Sequence, residues 1–256
     1  MFNMISAELY KLKKSRSFWI MLAVVAGIAV FVSVVFGVIS LEEAEDIRPE
    51  SASMMFMIGL PFHIQTILFF LVGFTVVFIN SEFDSGTIRN PLAIGISRMN
   101  YFIAKFVSIL IMCLAFATVA VLATGLPYLL FEPWGDMFHL SNFLASFALG
   151  YLILVAQATL FTTVAFITRK IGATLGIVLG YIVFDMMATA FIGLLEVDGF
   201  LLRVANILPG PAGAYVENVS MGEADFSNVL IVAGVSITMI VLTSGLAIRN
   251  LKTKDV

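Results

Sequence analysis

The sequence predicts an all-α integral membrane protein with six transmembrane helices, and three observations carry that prediction. Apolar residues make up 61% of the 256 and charged residues only 12%, whereas a soluble domain carries about 25% charge; mean hydropathy is +1.06. Six apolar stretches, at 18–39, 55–79, 101–130, 142–167, 171–194 and 228–248, approach or exceed the roughly 20 helical residues that a hydrocarbon core demands. Lysine and arginine cluster at alternate ends of these stretches. With so little charge the natural solvent is lipid. The loops, the longest being Glu196–Ser227, leave no room for a soluble catalytic domain.

Taken in order, the segment Met1–Lys14 places Phe2, Ile5, Leu9 and Leu12 three and four residues apart. That spacing predicts an amphipathic helix in the membrane interface, with Glu8, Lys11, Lys13 and Lys14 mostly off the apolar stripe and the lysines reaching headgroups. The first span is too long for the core of a signal peptide and reads as an uncleaved anchor. An acidic loop, Leu41–Glu50, follows. The second span carries Pro61 and His63 near its outer end, and polar Asn80–Arg98 leads to the third. Glu132–Asp136 forms a turn with Trp134 at the interface. Arg169-Lys170 closes the fourth span and the fifth begins at once, which predicts a tight helical hairpin. Phe200–Leu208 predicts a short interfacial or re-entrant helix before span six, with Pro209-Gly210-Pro211 breaking any helix there. The sixth span ends in Arg249, Lys252 and Lys254.

Twelve of the 14 basic residues fall on one side of this topology, with only Arg48 and Arg203 opposite, and acidic residues show the reverse bias. The positive-inside rule assigns the basic side, and with it both termini, to the cytoplasm. Several function classes lose support. Cys113 is the single cysteine, the two histidines lie far apart, and Met54, Met55, Met57, Met186 and Met187 are ordinary in apolar helices, so no metal constellation is predicted. No Ser-His-Asp grouping appears. Membrane separates the basic clusters, which argues against nucleic acid.

Within the membrane, Asp185 is costly by about 3 kcal/mol at mid-bilayer, so it must face protein or water, or carry a proton. Asp185 in span five and Gln157 in span four are the candidates for a translocation path. Hydrogen bonds between helices are the plainer reading of both, and of His63. Gly172, Gly176 and Gly180 form a face along span five that a neighbouring helix could approach closely.

The stretch Ser81–Arg89 is the most informative. Ser81 is placed to cap a helix whose first turn holds Glu82 and Asp84, where the dipole favours anions. Phe83, Thr87 and Ile88 would then share one face, suited to docking a partner protein. With Glu82, Gly86-Thr87-Ile88, Ser97-Arg98 and a lysine, Lys105, opening the third span, the chain resembles the permeases of type-2 ABC transporters. Glu8-Leu9-Tyr10-Lys11-Leu12-Lys13 followed by Phe18-Trp19 resembles that family's N-terminal elbow. Pro91 and Gly95 depart from the family pattern, and Pro91 would open a second short helix capped by Asn90.

The resemblance implies one type-2 ABC transmembrane domain over 1–256 with no nucleotide-binding domain. It also implies a coupling helix, in which Glu82, Phe83, Gly86, Thr87, Ile88, Arg89, Ser97 and Arg98 meet a separate ATPase. No Gly-x-x-x-x-Gly-Lys-[Ser/Thr] loop occurs, so the chain is expected to be non-catalytic and to bind no cofactor; ATP and magnesium belong to the partner. Two ATPase subunits, a second permease (identical or homologous) and the lipid bilayer are the implied partners. The nearest likeness is to bacterial cytoplasmic-membrane exporters of antimicrobial peptides or hydrophobic drugs, with roles in antibiotic resistance. A stand-alone secondary transporter or channel is the alternative, which would rest on intramembrane ionisable groups or broken helices.

Overall fold

The computed structural model describes residues 2–41, 49–93, 95–136, 138–194 and 208–253. Among these residues all regular structure is helical: α1 (Phe2–Lys14), α2 (Arg16–Leu41), α3 (Ala52–Asp84), α4 (Arg89–Ala93), α5 (Arg98–Tyr128), α6 (Leu140–Thr168), α7 (Ile171–Leu194), α8 (Pro209–Met221) and α9 (Phe226–Thr253). Helices α2, α3, α5, α6, α7 and α9 are long and apolar enough to cross a membrane. In hydrocarbon a backbone must satisfy its own polar groups, which is why these apolar runs become unbroken helices. Most of the acidic loop, and the stretch from Phe200 to Ile207, fall outside the described residues.

Helices α3, α5 and α6 form the centre, with α2 packed on α5 and α3, α7 on α3 and α6, and α9 on α6. Phe74, Phe116, Phe161 and Phe166 are buried between them. Close approach of α3 to α5 depends on Gly125, where a Cβ would stand 2.4 Å from the Phe56 ring. Threonines join α6 to α9: Thr163 donates to the Thr243 carbonyl at 2.9 Å and Thr243 to Thr159 Oγ1 at 3.1 Å. The face of α7 bearing Gly172, Gly176 and Gly180 meets no helix among the described residues.

All described basic residues belong to one end of the bundle, here the basic end; the α5–α6 turn and α8 lie at the other, the acidic end. At the acidic end the turn around Trp134 closes α3: Ala52 N–H donates to the Pro133 carbonyl at 3.0 Å and Ser53 N–H to that of Trp134 at 2.9 Å. Two donors that would otherwise lack intrahelical partners are thereby satisfied. At the basic end Arg169, in the left-handed region (φ 57°), and Lys170 join α6 to α7 in the expected tight hairpin.

Two local expectations are corrected. Ser81 does not begin a helix: α3 continues through Ser81, Glu82, Phe83 and Asp84, because no glycine or proline interrupts the run before Gly86. Pro209-Gly210-Pro211 does not exclude a helix but starts α8. Proline is tolerated in a first turn, where its missing N–H would have had no intrahelical acceptor.

Candidate functional site

The densest polar chemistry lies at the basic end, where α1, the last turn of α3 and the first turns of α5 converge. Lys105, fully buried on α5, has its Nζ 2.7 Å from Glu8 Oε2 of α1 and 2.7 Å from Glu82 Oε1 of α3. Lys11 Nζ lies 2.6 Å from Glu8 Oε1 and 3.0 Å from Glu82 Oε1. Tyr101 donates to Glu82 Oε2 at 2.5 Å. Lys105 Nζ also sits 4.0 Å from the centre of the Phe78 ring, an attraction that strengthens when the cation is desolvated.

Two carboxylates and two ammonium groups therefore neutralise one another. Glu8 and Lys105 have no exposed side-chain surface, Glu82 is 14% exposed and Lys11 50%. Burial alone would lower the Lys11 ammonium, but its hydrogen bonds to Glu8 and Glu82 outweigh it and raise the pKa above 10.5. The helix dipole adds to the arrangement: Glu82 stands at the C-terminal end of α3, where an anion is disfavoured, and the two lysines offset that cost.

This geometry corrects the expected placement of Glu8. Glu8 does not lie off the apolar stripe of α1; it is on the buried face, one turn from Met4 and one from Leu12. Glu82 turns its carboxylate back into the bundle, toward Lys105 and Tyr101. The signal that would have found Glu8 is its spacing, four residues from each of two buried apolar neighbours.

Beyond Asp84 the chain turns through Ser85–Ile88 into α4. Gly86 adopts φ +68° in open surroundings, a conformation glycine reaches without the strain of a side chain. Phe83, Thr87 and Ile88 do not share a helical face, because the helix ends before Thr87. Phe83 stacks edge-on to Phe166 at 5.8 Å, Ile88 is buried, and Thr87 is exposed beside Ser85. Arg89 is exposed. Pro91 is the third residue of α4, not its first, still within a first turn that needs no N–H. Ser97 caps α5 by accepting from Asn100 N–H at 3.2 Å. Arg98 donates to the carbonyls of Leu251 and Lys252, tying the C-terminal end of α9 to the start of α5. Between α1 and this segment lies a groove of about 420 Å³, lined by Met4, Glu8, Lys11, Asn90, Pro91 and Ile96 among others.

Within the membrane-spanning helices Asp185 is fully buried. Its carboxylate accepts from Gln65 Nε2 of α3 and, at 3.1 Å, from Gly210 N–H of α8. Gln157 accepts from Tyr181 at 2.8 Å and faces Met239, so it links α6 to α7 and α9. His63 is buried among apolar neighbours. The structure thus brings Glu82 and Ile88 near the charge network, and sets Asp185 and Gln157 in separate interhelical contacts. Among the described residues no group of three His, Cys, Asp or Glu side chains is placed to hold a metal ion.

The sequence model of a family described as "ABC-2 family transporter protein" matches residues 4–194. That stretch runs from α1 to the end of α7 and so contains the whole charge network, the turn at Gly86 and Asp185. No curated protein matches the chain.

Proposed function

The chain belongs to the family of ABC-2 transporter proteins, and from that premise we propose that it is the permease subunit of an ATP-driven exporter that receives its power stroke at the basic end. Members of this family are multi-pass membrane components of transport that work with ABC ATPases in a lipid setting.

The charge network is the observation that carries it. Lys105 and Lys11 bind the elbow helix α1, the end of α3 and the start of α5 into one unit, so a push on the exposed turn reaches three helices together. Gly86, Thr87 and Arg89, the exposed part of that turn, form the docking surface, and Arg98 conveys the same motion to α9. Phe83 and Ile88 hold the turn against the bundle, and Ser97 fixes the start of α5. In this reading the basic end is cytoplasmic and α1 lies along the membrane surface. Two ATPase subunits bring ATP and magnesium, and a second permease completes the path. Asp185 and Gln157 line helices that rearrange between packed states as the path opens. An antimicrobial peptide or hydrophobic drug is the cargo, and the bacterial cytoplasmic membrane the setting; both follow from family likeness and not from a site.

Arg89→Glu combined with Thr87→Asp tests the docking surface without touching the buried network. Loss of copurifying ATPase and of ATP-dependent transport, with unchanged thermal stability of the permease, is the expected result. Retention of both activities would remove the coupling role from this turn.

A further inference from the structure

Two grooves in the acidic half of the molecule are bridged by one hydrogen-bonded contact. The first, of about 370 Å³, lies between α2, α3 and α7; Ile28, Phe69, Ile182 and Met186 line it, together with Gln65. The second, of about 330 Å³, lies between α7 and α8; Ile192, Tyr215 and Asn218 line it, together with Thr189 and Gly210. Gln65 on one side and Gly210 on the other are the two groups that donate to the Asp185 carboxylate.

The start of α8 is built to need that carboxylate. Leu208, at the capping position, offers no side-chain acceptor. Pro209 and Pro211 have no N–H, so Gly210 supplies the one donor among the first three residues. A carboxylate at a helix N-terminus is favoured by both hydrogen bond and dipole, and here α7 provides it from a distant point in the chain. The fit leaves no slack: a Cβ on Gly210 would stand 2.0 Å from Thr189 Oγ1 and 2.8 Å from Gln65 Nε2. Beyond that first turn α8 is anchored: Val216 and Ser220 are buried, and the helix ends in a hydrogen-bonded cap at Gly222, φ +78°.

We infer that the Asp185–Gln65–Gly210 contact is a latch. Asp185 is a positioning residue that caps α8 in trans and holds its first turn down, and this keeps the groove among the spans separate from the groove under α8. Release of the contact lifts the first turn of α8 and joins the two into one crevice leading to the acidic face. The inference builds on the reading of the chain as a permease, yet its test needs neither an ATPase nor a cargo, nor a known orientation.

The full chain in lipid nanodiscs, with Cys113 replaced by Ala and Ile182→Cys as reporter, is labelled with a water-soluble maleimide. Ile182 is buried in the first groove, so labelling of the latched form is slow. Gly210→Ala, which wedges the contact apart, is expected to raise the labelling rate about tenfold, as a state of about a few per cent becomes a major one. Asp185→Asn, whose amide oxygen can still accept from Gly210 N–H, is expected to keep the slow rate, which a variant misfolded by the loss of Asp185 would not do. Asp185→Leu should match Gly210→Ala. Equal labelling rates in all four proteins would overturn the latch, as would labelling of Asp185→Asn as fast as that of Asp185→Leu.

Discussion

Two buried carboxylate sites, one at each end of the bundle, solve the same physical problem by different means. At the basic end Glu8 and Glu82 are neutralised by full charges, Lys105 and Lys11. Toward the acidic end Asp185 is met only by dipoles, the Gln65 amide and the Gly210 N–H at the head of α8. Full charges bind tightly but leave a heavy penalty when one partner goes, since the others remain buried and unpaired. Dipoles bind less strongly and can be released. The first arrangement suits a block of helices that must move as one, and the second suits a contact that opens.

Lys105→Met should have the largest effect, because it removes the one fully buried cation and leaves Glu8 and Glu82 to share the half-exposed Lys11. A loss of about 3–5 kcal/mol is expected, read as a lowered Tm in detergent. Adding Glu8→Gln should return much of it. A single variant no worse than Lys170→Met, at an exposed lysine, would break the comparison.

Asp185→Leu comes next. Leaving the Gly210 N–H and the Gln65 amide without their acceptor should cost about 1.5–3 kcal/mol. Asp185→Asn should cost clearly less, because an amide oxygen can still accept from Gly210 while Gln65 turns its own oxygen, now unpartnered, toward the new NH₂ group. Equal losses for Leu and Asn would mean that ionic charge, and not dipolar fit, holds this site, and the contrast between the two ends would fail.

Lys11→Ala sharpens the comparison from below. Its half-exposed ammonium is screened by water and ions, so the loss should stay under about 1 kcal/mol and fade at high salt. A loss as large as that of Lys105→Met would show that the whole network behaves as buried.

Much of the membrane architecture was legible in the sequence because hydrophobicity acts locally along the chain. The six spans, the α6–α7 hairpin at Arg169-Lys170 and the turn at Trp134 follow from runs of apolar residues and from the residues that interrupt them. The candidate site was legible in part. Glu82, Gly86 and Lys105 stand out as a pattern, but Glu82 reads as an exposed docking residue when it is in fact turned inward. Nothing in the local sequence says that Glu8, some 70 positions earlier in the chain, is its neighbour in the same network. Proline signals misled for a similar reason: Pro209 and Pro211 look like helix breakers until Asp185, from another helix, is seen to satisfy the one donor between them.

The order of hydrophobic and polar segments by itself determined six helices long and apolar enough to cross a membrane, with twelve of the 14 basic residues on one side of that topology, since each span needs only its own composition to partition into lipid. Which charges from different helices meet was decided by tertiary packing. Lys11 lies within one turn of Glu8 on α1, but Lys105 and Glu82 join them only when helices distant in sequence are brought within about 3 Å, and neither composition nor spacing encodes that distance.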